Sequence, residues 1–151
     1  MPQEANPQHH GVADLPSGEF GLVPVGRVSS LLTEWAAAPR QPDEGAPPAR
    51  ILLDAAYRPA AADLRPGDRV VVLTWLHLAE RTALSVHPRE PGRPLTGVFS
   101  TRSPDRPNPV GLHVVTVLGV AGDVVQVDRL EAVDGTPVID IKPVLGPVEQ
   151  R

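Results

Sequence analysis

The sequence predicts a mainly β fold, a single antiparallel β-barrel domain with short helical turns and proline-rich loops. Three observations carry that reading. Short apolar runs rich in valine, isoleucine and leucine recur along the chain, separated by Gly, Pro and Asp turn signals. Nineteen prolines are spread through the sequence and break up any long helix. A length of 151 residues, 41% of them apolar, is near the usual size of one hydrophobic core.

Residues 1–18 are polar and aperiodic and read as a mobile N-terminal arm, so His9 and His10 within it read as a disordered pair rather than a metal site. The domain spans residues 19–146, and 147–151 form a tail. Residues 20–30, FGLVPVGRVSS, predict a first strand, with Gly21, Pro24 and Gly26 allowing bends at a sheet edge. Residues 31–38 fit a single helical turn or a loop. Residues 39–49, PRQPDEGAPPA, are a proline-rich loop that contains Arg40 and Gln41. Residues 51–54 are apolar enough for a short strand, and Pro59 keeps any helix in the alanine-rich 55–62 short. The turn LRPGD feeds the longest apolar run, residues 70–78, whose β-branched content favours a buried strand. His77 falls near its end. Residues 82–87 predict another strand, and 88–94 a polar loop suited to a lid or an edge.

The chain is organised around residues 97–112, GVFSTRSPDRPNPVGL. Pro104, Pro107 and Pro109 each fix their own φ and push the preceding residue out of the helical region, so this loop is stiff. It carries Arg102 and Arg106, and apolar runs flank it on both sides. A stiff loop loses little entropy on gripping a ligand. The plain alternative is a crossover whose arginines pair with Asp105 in solvent. Residues 112–120 alternate only weakly, as a strand buried on both faces would. Ala121, Gly122 and Asp123 turn it into residues 124–130, a hairpin by spacing and turn chemistry. In VDGTPVIDIKP, Asp134 and Gly135 supply a tight turn, residues 138–141 a final strand, and Pro143 its stop. Asp140 stands between two isoleucines and is expected either to face solvent or to be held by an arginine, Arg102 or Arg106. The tally is about seven or eight short strands.

Several chemistries are excluded. There is no cysteine, hence no disulfide, thiolate nucleophile or thiolate metal site. His77, His87 and His113 match no common metal-ligand spacing, and no metal is expected. No G-x-G-x-x-G follows a strand, and Walker A, H-E-x-x-H and nucleophile-elbow patterns are absent. No apolar run reaches membrane-helix length, and residues 1–20 lack the basic and apolar regions of a signal peptide, which predicts a cytoplasmic protein with no membrane partner. A net charge of −4 gives no global attraction to nucleic acid, so RNA binding requires a local basic patch.

The motifs PRQ (39–41), WLH (75–77), GVFSTRSPDRPNPVGL (97–112) and DGTPVIDIKP (134–143), in this order and spacing, resemble the TrmO family, also called TsaA-like or YaeB-like. The resemblance covers residues 23–145. It implies an S-adenosylmethionine-dependent methyltransferase built on a β-barrel, usually a homodimer, that methylates N6 of threonylcarbamoyladenosine beside a tRNA anticodon. Carried over by motif, the cofactor site is Pro39, Arg40 and Gln41, then His77 with Leu78, Arg102, Leu112, and Ala132, Val133, Asp134 and Gly135. Arg106 and Asn108 fall on the substrate side.

A cation beside the cofactor's sulfonium would destabilise it, so Arg40 and Arg102 suit carboxylate, ribose or substrate oxygens. Backbone carbonyls near Val133 and Asp134 suit an adenine amino group or the sulfonium. Methyl transfer depends mainly on in-line positioning, and a base can assist; His77, Asp134 and Asp140 are the candidates. The chain departs from the family at Asp105, often a bulky or aromatic position, and at His113, where serine is common. Many bacterial members also continue into a second small domain. Two alternatives stay open: the same chemistry on a small-molecule acceptor, and a non-catalytic S-adenosylmethionine-binding protein.

Overall fold

The computed structural model describes residues 21–33 and 47–146. The strands run β1 (Gly26–Ser29), β2 (Ala49–Leu53), β3 (Arg69–Trp75), β4 (Ser85–Val86), β5 (Thr96–Gly97), β6 (Val110–Ala121), β7 (Val124–Val127) and β8 (Pro137–Pro143). Six of them form one antiparallel sheet in the order β1-β2-β7-β6-β3-β8, and β8 pairs back onto β1 to close the ring. The short β4–β5 ladder stands apart from it. A short 3-10 segment at Ala55–Ala61, with Pro59 inside it, links β2 to β3 and is capped by the Asp54 carboxylate on the Ala56 amide.

Strand periodicity fills the interior. Ala49, Ile51 and Leu53 of β2 point inward, as do Val70 and Val72 of β3, Val115 and Val117 of β6, Val125 and Val127 of β7, and Val138 of β8. Each fully buried valine contributes about 1.5–3 kcal/mol, and a ring of branched, medium-sized side chains suits a small closed sheet better than aromatics would. Leu130 and Ala132, on the connection from β7 to β8, join the same core.

Some expectations need correction. The first strand is shorter than residues 20–30, beginning only at Gly26. The strand expected over 82–87 is reduced to Ser85–Val86. The strand predicted for 70–78 ends at Trp75, so His77 lies in the turn beyond it. The strand over 112–120 is not buried on both faces. Gly111, His113, Val115 and Val117 of β6 face inward, whereas Val110, Leu112, Val114 and Leu118 remain 37–50% exposed. Apolar residues on the outer face hid a strict alternation.

The outer face continues onto β3, where Val71, Leu73 and Trp75 lie opposite Val114, Leu112 and Val110. The N-terminal arm, Pro39, Arg40 and Gln41, most of the helical turn expected over 31–38, and the tail lie outside the described residues.

Candidate functional site

β6 borders β3 along residues 110–116 but meets β7 only from Val117 onward. Its other edge is therefore open over the first half of the strand. Val117 exchanges backbone hydrogen bonds with Gly67 and Asp68 on the β3 side, whereas Thr116 pairs with Asp128 on the opposite side. By strand parity, Leu112 and Val114 direct their N–H and C=O groups toward the open edge. Neither residue's backbone has a partner there among the described residues.

This edge floors a cleft of about 900 Å³. One wall is the central loop, Phe99 to Pro104 with Arg106, and another is the β4–β5 connection with His87, Pro88, Arg89, Glu90 and Arg93. Leu76, His113 and Glu131 complete it. The polar loop at 88–94, expected to be a lid or an edge, thus forms a side of the cleft.

The central loop is held rigidly, chiefly by its own residues. The Arg106 guanidinium donates to the carbonyls of Ser103 (2.7 Å), Val98 (2.8 Å) and Thr101 (2.5 Å). Glu80 N–H donates to the Asp105 carboxylate at 2.9 Å. Arg81 donates to the Pro107 carbonyl at 2.9 Å and lies 5.1 Å from the Trp75 ring centroid, a cation–π contact. Asp105 therefore ties the turn after β3 to the loop, and the Arg–Asp105 pairing of the plain alternative does not form. In that turn, hydrogen bonds from the Thr82 hydroxyl and amide hold the Glu80 carboxyl below its usual range. Arg102 is exposed and makes no hydrogen bond or ion pair to any described residue. Of the two loop arginines, Arg106 is structural in its contacts and Arg102 is available to a ligand.

The sequence-predicted residues divide accordingly. Arg102, Arg106 and Leu112 line the cleft, and Leu76 and Glu131 stand immediately before His77–Leu78 and residues 132–135. His77 and Leu78 are exposed and outside the lining. Asn108 is exposed, its side-chain oxygen 3.5 Å from Arg81. Ala132 and Val133 are buried, so only their backbone could meet a ligand. The Val133 carbonyl is already taken by the Thr136 amide and, at 2.7 Å, its hydroxyl, which leaves the Asp134 carbonyl as the available one of that pair.

Asp134 accepts from the Ser30 amide at 3.0 Å, and Gly135, at φ +82°, donates to the Val28 carbonyl at 2.8 Å, so this turn clamps the end of β1. Asp140 pairs with Lys142 at 2.8 Å on the outer face beside Leu73, not with Arg102 or Arg106. A bulge between Leu73 and Thr74 sets that orientation: Ile139 is the extra residue, and it keeps both Val138 and Ile141 packed on the core.

One cluster escaped the sequence reading. His113, 4% exposed, places Nε2 2.7 Å from the Thr74 hydroxyl and Nδ1 2.7 Å from Glu131 Oε1. The second carboxylate oxygen, Oε2, is buried and has no partner among the described residues. Gly111 makes room for the cluster, since a Cβ there would collide with Thr74 Oγ1 and come 2.7 Å from His113 Nε2. Glu131 arrives through a tight passage in which Arg129 takes φ +39°, in the left-handed region. Its signals in the sequence were an acid two residues before VDGTP and the departure from the family pattern at His113.

Residues 27–149 match the family described as the tRNA-methyltransferase O N-terminal domain. A probable S-adenosyl-L-methionine-binding protein of Methanothermobacter thermautotrophicus is 45% identical over 125 residues, 83% of this chain and 90% of that one. An S-adenosyl-L-methionine-binding protein of Archaeoglobus fulgidus is 40% identical over 122 residues, 80% of this chain and 86% of the relative. Among solved structures, one TrmO is 32% identical with a TM-score of 0.69 over 85% of this chain. TrmO from Pseudomonas aeruginosa is 30% identical with a TM-score of 0.68, also over 85%. The chain spans only 58% and 57% of the length of those two TrmO chains. By the match across nearly all of the described domain, the chain belongs to the TrmO N-terminal-domain family.

Proposed function

We propose that this chain is an S-adenosylmethionine-dependent N-methyltransferase, working as a homodimer, whose acceptor is the N6 nitrogen of threonylcarbamoyladenosine beside a tRNA anticodon. The observation that carries the reading is convergence. Arg102, Leu112 and the residues that lead into the two other motif stretches meet at one cleft. Relatives covered over most of their length are named for binding S-adenosylmethionine.

The cleft suits that cofactor. Its volume lies within the range of small-molecule sites. The open edge at Leu112 offers a neighbouring N–H and C=O, the donor and acceptor that an adenine edge takes. Arg102, exposed at the rim, suits a carboxylate. When bound, the cofactor supplies an electrophilic methyl group on a sulfonium. The chain's own residues position, desolvate and handle protons.

The acceptor side draws on the rim. Phe99 is 89% exposed beside Arg102 and offers a face on which a base can stack. Arg102, exposed and without a partner among the described residues, places positive charge at the rim of an acidic chain, where RNA binding requires local charge. The apolar outer face of β3 and β6, with Val71, Leu73, Val110, Leu112 and Val114, fits a second copy of the chain. No helix among the described residues is long and apolar enough to cross a membrane.

A second reading, the same chemistry on a small molecule, is favoured by the net charge of −4. A non-catalytic S-adenosylmethionine-binding protein is the third. Calorimetric titration of the cofactor into the wild type and Arg102→Ala, followed by labelled methyl transfer to tRNA and to small amines, separates them. Binding weakened tenfold or more by the substitution, about 1.4 kcal/mol, with label entering tRNA supports the proposal. Label only in small amines transfers the function to the second reading, and binding without transfer to the third. No binding to the wild type refutes all three.

A further inference from the structure

We infer that Glu131, held by His113 and Thr74, is the general base that takes the proton from the methyl-accepting nitrogen. The inference rests on the methyltransferase reading above and names the residue that does its proton chemistry.

The proposed acceptor nitrogen is bonded to a purine ring and to a carbamoyl carbon. Its lone pair is delocalised into both, so it is a poor nucleophile until its N–H proton leaves. A base within hydrogen-bond reach is therefore needed. The carboxylates and imidazoles of the chain can be compared on geometry. His77 is exposed and outside the cleft lining. Asp134 holds the Ser30 amide, and Asp140 pairs with Lys142 on the outer face. Glu90 lines the cleft but is two-thirds exposed and paired with Arg93 at 3.3 Å, and His87 is exposed on the same loop.

Glu131 differs from all of these. Its side chain is 14% exposed, it lines the cleft, and one oxygen is fixed while the other is uncommitted. A buried carboxylate oxygen left without a donor is costly, and such cost persists where function requires it.

The supporting bonds set the protonation pattern. An ionised Glu131 only accepts, so His113 Nδ1 carries the proton toward Oε1, and the Thr74 hydroxyl donates to Nε2. The imidazole thus acts as a positioning group that fixes Oε1 and leaves Oε2 uncommitted; Oε2 is covered in this structure, so a small rotation of the carboxylate on acceptor binding must bring it to the nitrogen as the proton acceptor. Around it stand His113 on β6 and Thr74 on β3, with Arg102 and Arg106 from the central loop and His87, Arg89, Glu90 and Arg93 from the β4–β5 connection in the same lining. In the step itself the N–H proton moves to Oε2 and the nitrogen pair bonds to the methyl carbon. The carbon–sulfur bond breaks with its electrons remaining on sulfur, and the proton then leaves Glu131 to water.

The test uses wild type, Glu131→Gln, Glu131→Asp and His113→Asn, with three measurements. Nitrogen NMR of the unliganded wild type is expected to show His113 Nδ1 protonated at neutral pH; an unprotonated Nδ1 would make Glu131 the donor and overturn the assignment. S-adenosylmethionine calorimetry is expected to give affinities within about threefold across the series. A tenfold loss in Glu131→Gln would make Glu131 a cofactor-holding residue instead. Single-turnover transfer to tRNA is expected to fall about 10²–10⁴-fold in Glu131→Gln, with the rise in rate with pH abolished, and to be partly restored by Glu131→Asp. A wild-type rate and pH profile in Glu131→Gln refutes the inference. A wild type that binds cofactor yet methylates no tRNA removes the acceptor reading, and this inference with it. A wild type that binds no cofactor removes the earlier assignment.

Discussion

Replacing Gly111 by alanine tests the floor of the cleft without replacing an ionisable group. Gly111 lies opposite Thr74 and faces inward, and an added Cβ would overlap Thr74 Oγ1, approach His113 Nε2 to 2.7 Å and meet Leu76 Cδ2 at 3.1 Å. Thr74 is fully buried and His113 nearly so, and both belong to paired strands, so neither can swing into solvent. Overpacking of this kind costs about 1–3 kcal/mol. Separating the Thr74–His113 pair leaves buried polar atoms unsatisfied, a further cost of about 1–3 kcal/mol. The lower chain entropy of alanine in the unfolded state offsets about 0.4–1 kcal/mol. The net expectation is a loss of about 1–5 kcal/mol, centred near 3, a large share of the stability of a domain this size. Urea unfolding followed by tryptophan fluorescence reads it as a lower midpoint at unchanged slope. Gly97→Ala is the control, because no atom lies within 4 Å of where its Cβ would stand and its φ of −57° suits any residue; it should change stability by less than about 0.5 kcal/mol. A Gly111→Ala protein as stable as that control would refute the packing argument and the rigidity assigned to the Thr74–His113–Glu131 cluster.

Arg106→Ala removes the donor that gathers the Ser103, Val98 and Thr101 carbonyls, and water can replace only part of it. A loss of about 2 kcal/mol is expected, with limited proteolysis showing new cleavage at 99–106. Leu73→Asp places a charge at the centre of the apolar outer face but outside the core. In the homodimer reading it shifts the light-scattering mass at micromolar concentration from two chains to one while leaving the melting transition of the monomer in place. Glu80 has its carboxyl pKa lowered by Thr82, so its contribution is present above the ordinary value of 4.5 and lost as pH falls through the lower folded value. The Thr82 amide resonance is therefore expected to titrate below pH 4.5, and in Thr82→Ala the Glu80 titration should return toward it.

The mainly β character was legible because its signals are local. Val70 and Val72, or Val125 and Val127, alternate with a period of two, and Pro59 and the Asp134-Gly135 turn punctuate the chain by their own backbone chemistry. The burial of β6 was misread because Val110, Leu112 and Val114 are as apolar as the residues facing in. Composition cannot tell an exposed apolar face from an inner one. The role of Arg106 was equally hidden: an arginine in a proline-rich loop reads the same whether it grips a ligand or its own carbonyls. The structure distinguishes Arg106 from Arg102 four residues earlier only through the carbonyls that the proline-fixed backbone turns toward it.

The same reasoning explains why Glu131 is less legible in the sequence than Asp134 and Asp140. Both of those stand in a recognisable motif, yet their contacts are local: Asp134 closes a turn onto Ser30, and Asp140 meets Lys142 two residues along its own strand. Glu131 owes its environment to residues 18 and 57 positions away, His113 and Thr74, brought together by the β3–β6 register and by the absence of a side chain at Gly111. No periodicity or motif encodes such a meeting, because each partner is unremarkable alone. The Thr74–His113–Glu131 cluster is thus a property of strand pairing: shift β6 by one residue against β3, and His113 would face outward among Val110 and Leu112, leaving Glu131 buried with neither oxygen satisfied.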